Sequence, residues 1–198
     1  ENNCSTNTIA NEITCTITSL SPLGLASSAS GGGGAGGTAA DLIPPSFTDN
    51  SIKINHNTLV EDTQISTVTV QSDKSVDFTI FASDNFGAEN ITHLDLFLNH
   101  DGENILNNLK ETYVSFEFEK LFIQNPNGIL ESVTMNTENI GDDKKFTFNV
   151  TFAKTFDTSD VLLRSWDVSG NSITLYLPDS LKVIDSVMAQ SSPTDSEI

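Results

Sequence analysis

The side chains best suited to chemistry in this 198-residue chain are oxygen donors in short acidic loops. "SDNFGAEN" offers Asp84, Asn85 and Glu89, "NHDGEN" offers Asp101, Glu103 and Asn104, and "WDVSGN" offers Asp167 with Asn171. Several carboxylate and amide oxygens on one loop suit calcium, a hard cation that takes about six to eight oxygen ligands. None of the loops has the spacing of an EF-hand. Asp84, Asn85, Asp101 and Glu103 are the leading metal candidates, with calcium as the ion if one is bound. Asp167 and Asn171 have a competing role, because Asp and Asn in a tight turn commonly bond the turn's own backbone.

Softer metals find little support. The histidines are His56, His93 and His100. His93 and His100 fall at the two ends of one strand, about 23 Å apart if extended, and are expected to be solvated. The cysteines, Cys4 and Cys15, have no His nearby and no third thiol to complete a zinc site. No G-x-S-x-G elbow is present and no nucleophile motif accompanies the histidines, so no catalytic residue is nominated and the chain reads as a non-enzyme. Trp166 is the sole tryptophan, which leaves no aromatic cluster to line a sugar cleft beside any of the 27 acids.

The natural reading of Cys4 and Cys15 is a disulfide closing a loop of about 12 residues and contributing roughly 3 kcal/mol. It would imply an oxidising, extracytoplasmic setting. Two reduced buried thiols and an intermolecular bridge are the alternatives. Three glycosylation triplets begin at Asn3, Asn90 and Asn149. In "FTFNVTF" the apolar residues share one face, so Asn149 is expected on the other.

Nine Lys and Arg against 27 Asp and Glu leave a net charge of −18. With no basic cluster, nucleic acid and anionic lipid are poor partners. No apolar run approaches the roughly 18 residues of a membrane span. The first residue, Glu1, and the lack of a signal segment suggest a processed chain.

These residues must be positioned by strands. Thr, Ser, Asn, Phe, Ile, Leu and Val dominate, which favours β structure. Residues 1–43 form an arm in which "EITCTITSL" alternates, with Ile13, Cys15 and Ile17 on one side, before a run of six glycines in the seven residues 31–37. After Pro44-Pro45 come alternating runs at 51–55, 65–70, 76–82, 92–99, 113–119, 129–135, 145–152, 161–166 and 172–183, separated by turn clusters. "ENILNNLK" is a short helix or a loop. Short strands with one apolar face each imply an antiparallel two-sheet sandwich over 44–187, followed by a polar tail, 188–198.

"VLLRSWDVSGNSITLYL" resembles the last hairpin of bacterial and archaeal immunoglobulin-like repeats. With "PPSF", "FTIFASDNFGAENITHLDLFLN" and "FNVTFAKTFDTSDVLLRSWD", residues 44–184 resemble an immunoglobulin-like domain of secreted surface proteins of ammonia-oxidising archaea. The resemblance implies an extracellular, structural or adhesive setting and carries no catalytic residues. The arm resembles no family. Its strand, with Ile13, Cys15, Ile17 and Leu20, has three possible fates: a plain tether, pairing with its own sandwich, or insertion into a neighbouring subunit. The last would build a head-to-tail homopolymer, a pilus-like filament. The alternative is a monomeric or tethered surface-binding module, calcium-stabilised if the loops hold an ion, with surface glycans as ligands.

Overall fold

A computed structural model describes residues 3–7, 12–16, 40–61, 64–100, 102 and 110–186. Thirteen of the fifteen strands among these residues form two packed sheets. The larger contains β1 (Asn3–Asn7), β2 (Glu12–Thr16), β7 (Val68–Gln71), β9 (Ile91–His100), β10 (Thr112–Glu117), β11 (Lys120–Gln124), β14 (Phe156–Asp167) and β15 (Ser172–Ile184). Its order is β1-β2-β15-β14-β9-β10-β11, with β7 also against β15. The smaller contains β3 (Ser46–Ile54), β4 (Asn57–Thr58), β8 (Ser75–Ser83), β12 (Leu130–Ile140) and β13 (Asp143–Phe152), in the order β12-β13-β8-β3-β4. A two-residue ladder joins β5 (Val60–Glu61) and β6 (Gln64–Ile65).

This order identifies the fold. From β3 onward, the first, second, fifth and fourth main strands make one sheet. The seventh, sixth and third make the other, extended by the two extra strands β10 and β11. That is the Greek-key arrangement of a variable-type immunoglobulin sandwich. The fold is therefore all-β and immunoglobulin-like, antiparallel except where β15 takes β2 and β7 as parallel neighbours.

Period-two alternation builds the core. Val76, Phe78, Ile80 and Ala82 of β8 and Phe146, Phe148, Val150 and Phe152 of β13 face Leu94, Leu96 and Leu98 of β9 and Leu163 of β14 across the gap. Phe116 packs edge-on against Phe146 at 5.0 Å, and Phe152 against Phe156 at 5.6 Å. Asn149 lies on the opposite face of β13, donating to Asp77 Oδ1 at 2.6 Å and accepting from Ser75 Oγ at 2.6 Å.

Three strand expectations are corrected. The run at 113–119 stops at Glu117, because Phe118 and Glu119 form a hairpin turn with φ of 45° and 64°. Its return strand, β11, was not expected, since "KLFIQ" does not alternate. β14 starts at Phe156, inside a stretch read as a turn. "ENILNNLK" lies outside the described residues except for Lys110, as do the tail and the glycine run.

The arm contributes a hairpin. β1 pairs antiparallel with β2, and Cys4 stands directly opposite Cys15. β2 runs parallel to the start of β15, with Ile13 beside Ile173 and Cys15 beside Leu175. Within this chain the strand thus extends the edge of its own sandwich. Ile17 and Leu20 lie outside the described residues. No helix among the described residues is long and apolar enough to cross a membrane.

Candidate metal centre

Three carboxylates meet at one end of the sandwich. Asp41 comes from the segment leading into β3, Asp84 follows β8 in the connection to β9, and Asp167 ends β14. One oxygen of each lies within 4.8 Å of the others. Two full charges at that separation repel by about 3 kcal/mol at an effective dielectric of 20. No Lys, Arg or His forms an ion pair with any of the three among the described residues.

Local turns hold the two buried members. Asp84 Oδ1 accepts the Phe86 N–H at 2.9 Å and the Asn90 amide at 3.4 Å. The chain then turns through Gly87, at φ 99°, into the short 3-10 segment Ala88–Asn90. Gly87 N–H donates to the Asp84 carbonyl at 3.0 Å. Asp167 Oδ1 accepts the Asn171 N–H at 2.8 Å, and Asp167 Oδ2 accepts the Asn171 side-chain amide at 2.7 Å. That amide also reaches the Asp41 carbonyl at 3.2 Å, tying the lead-in segment to the β14–β15 turn. Asp41 Oδ1 accepts the Ile43 N–H at 3.2 Å.

Two oxygens remain. Asp41 Oδ2 and Asp84 Oδ2 are buried and have no hydrogen-bond partner. Asp84 as a residue is only 5% exposed. Its pKa is raised, first by burial and then by the charges of Asp41 and Asp167, against the opposing hydrogen bonds from Phe86 and Asn90. A buried, unpaired carboxylate oxygen is costly unless an ion or proton compensates it. The donors are all oxygen, with no thiolate or imidazole. Three carboxylate oxygens fit a hard cation such as calcium.

Of the sequence candidates, Asp84 lies in this cluster, and Asn85 beside it is exposed. Asp101 and Glu103 lie outside the described residues. Asp167 and Asn171 make the backbone-capping turn anticipated for them, and Asp167 joins the cluster as well. Asp41 was missed. Its signal was its isolation: it is the only charge between Glu12 and Asp49, placed at the seam between arm and sandwich.

The histidines stay apart. His93, half-buried on the outer face of β9, contacts Asp95 at 2.7 Å and packs edge-on against Trp166 at 4.4 Å. His100 is buried, contrary to the expectation of solvation, with Nδ1 3.3 Å from Glu111. His56 is exposed in the β3–β4 turn. Asn90 and Asn149 of the glycosylation triplets are both half-buried and engaged through their amides.

No protein-family model matches the chain and no curated protein resembles it. Solved structures do match. One comes from a photo-crosslinking study of multimeric cell-adhesive interactions of VGSC beta subunits, at 13% identity and a TM-score of 0.38. The match covers 61% of this chain and 92% of that one.

Proposed function

We propose that the chain is a calcium-stabilised immunoglobulin-like module of the cell surface, a binding or adhesive unit with no catalytic role. The observation that supports this best is the carboxylate trio, two of its members buried, with two unpaired buried oxygens and no paired cation among the described residues. The ion would fasten the lead-in segment. Leu42 is 79% exposed and Ile43 is 43% exposed, so Asp41 rather than an apolar side chain turns toward the sandwich there. Low-affinity structural calcium sites fill at extracellular concentrations. The directly opposed Cys4 and Cys15 support the same setting: such pairs have Cα atoms about 4.5–5.5 Å apart, within disulfide reach. The surface-protein setting implied by the sequence resemblance is part of this proposal. The decisive experiment is calorimetric titration of the full chain with calcium, repeated on Asp84→Asn. Binding that the substitution abolishes supports the reading, and absence of binding to the unsubstituted chain overturns it.

A second reading rests on the arm. The hairpin touches β15 through a four-residue parallel register and joins the sandwich through a glycine-rich connector. The same edge could accept the hairpin of a neighbouring copy, which would give a head-to-tail polymer by strand exchange. Electron microscopy of the full chain beside one beginning at Asp41 tests it. Filaments only from the full chain are expected, and monomers from both would end the idea.

A further inference from the structure

The carboxylate cluster and the docked hairpin share one turn. Asp167 ends β14, and Ser172 opens β15 directly after Asn171. The Asn171 N–H and side-chain amide both donate to the Asp167 carboxylate, at 2.8 and 2.7 Å, and the same amide reaches the Asp41 carbonyl at 3.2 Å. Backbone bonds close the turn as well. Asp167 N–H donates to the Asn171 carbonyl at 3.1 Å, and Gly170 N–H to the Asp167 carbonyl at 3.2 Å. The next residue, Ser172, stands opposite Glu12 of β2, and the parallel register continues through Ile173, Thr174 and Leu175. Over this stretch β2 is the outer neighbour of β15 among the described residues, because β7 joins β15 only from Leu181 onward. Ser172, Thr174 and Leu175 are buried in this arrangement.

We propose that calcium binding and docking of the arm hairpin are coupled through the Asp167–Asn171 turn, each strengthening the other. The coupling requires the calcium centre proposed above and gives that ion control over the arm. Without the ion, the mutual repulsion of Asp41, Asp84 and Asp167 acts on both groups that Asn171 bridges, the Asp167 carboxylate and the Asp41 backbone. The turn is loaded at the point where β15 begins to offer its edge to β2. A bound cation replaces that repulsion with attraction and fixes the turn. The hairpin then docks on an edge that is already ordered, so docking costs less conformational entropy. Attachment acts in the same direction. The hairpin is joined to the sandwich through Asp41, so an ion that holds Asp41 beside Asn171 keeps the point of attachment next to the hairpin's own docking edge. A neighbouring copy's edge gains nothing from that tether, so calcium favours the self-docked chain over strand exchange. The linkage is reciprocal: the factor that calcium adds to the docking equilibrium is the factor that docking adds to calcium affinity.

Hydrogen exchange read by mass spectrometry on the full chain, together with calorimetry, tests both directions. Saturating calcium should slow amide exchange in residues 12–16 by about fivefold or more relative to chelator, the lower end of typical coupling between sites. Conversely, Thr14→Pro removes a backbone donor from a strand paired on both sides, so it should undock the hairpin and weaken calcium binding by the same factor. Exchange in the core strand β13 should be the same in this variant as in the unsubstituted chain, which shows that the sandwich stays folded. Calcium binding with unchanged exchange in residues 12–16 would overturn the coupling and leave the calcium centre standing. Slowing of equal size throughout the chain would mark general stabilisation and overturn it too. So would undiminished calcium affinity in Thr14→Pro once its residues 12–16 exchange freely. Absence of calcium binding to the unsubstituted chain would overturn the centre and the coupling together.

Discussion

Asp95 and Asp84 are both buried carboxylates in the same chain, and their surroundings differ completely. Asp95, on the outer face of β9, is 3.2 Å from Arg164 Nη2 and 2.7 Å from His93. Arg164 lies over the Trp166 ring at 4.4 Å. Asp84 has two further carboxylates for neighbours and no cation. Asp160, buried as well, has no cation among the described residues either, but both its oxygens accept hydrogen bonds, from the Tyr176 hydroxyl and the Asp179 N–H. What sets Asp84 apart is an oxygen with neither a cation nor a donor, and the proposed calcium would meet it.

The comparison can be broken most sharply at Arg164. Arg164→Ala leaves Asp95 buried with only His93 beside it, and a loss of about 3 kcal/mol is expected in denaturant unfolding. If stability hardly changes, the arginine is not what compensates Asp95. Next in size is calcium itself. At a hundred times its dissociation constant it should add about 2.7 kcal/mol, a rise of roughly 5–10 °C in melting temperature that a chelator reverses. An unchanged melting curve would remove the contrast.

A smaller effect has opposite signs at the two sites. In chelator, Asp84→Asn should stabilise the protein by on the order of 1 kcal/mol by removing one of three repelling charges. Asp95→Asn should destabilise it by stranding Arg164. Stabilisation by both substitutions would mean that the two carboxylates are equivalent. The smallest effect is in pH. Because the folded pKa of Asp84 is raised, its protonation stabilises the metal-free fold. That contribution is fully present below the unfolded value of 3.8 and is lost as pH rises through the raised folded value. Subtracting the melting profile of Asp84→Asn from that of the unsubstituted chain, both in chelator, should reveal this slope. Saturating calcium should cancel or invert it.

Much of the sandwich was legible because buried strands alternate. "VDFTIFA" and "KFTFNVTF" each have one face in the core, and both were located within a few residues. β11 was illegible for the complementary reason: an edge strand exposed on both faces has no period to read. The same applies to the polar opening of β14. The carboxylate cluster was half legible. Asp84 and Asp167 sit in recognisable turns, but their meeting with Asp41 depends on bringing together positions 41, 84 and 167, which no local spacing encodes. The hairpin of the arm was read as one strand, because "NCSTN" alternates only weakly and its partner supplies the register.

The position of Asp41 also matters for mechanical load. It lies ahead of β3, outside every backbone ladder of the sandwich. A pull from the N-terminal side would load the pairing of β2 with β15 first. Among the described residues of the lead-in segment, Asp41 is loaded next, before any hydrogen bond of β3. If calcium binds there as proposed, that resistance would be ionic and reversible: it would yield under tension and re-form when the load drops, leaving the sandwich folded.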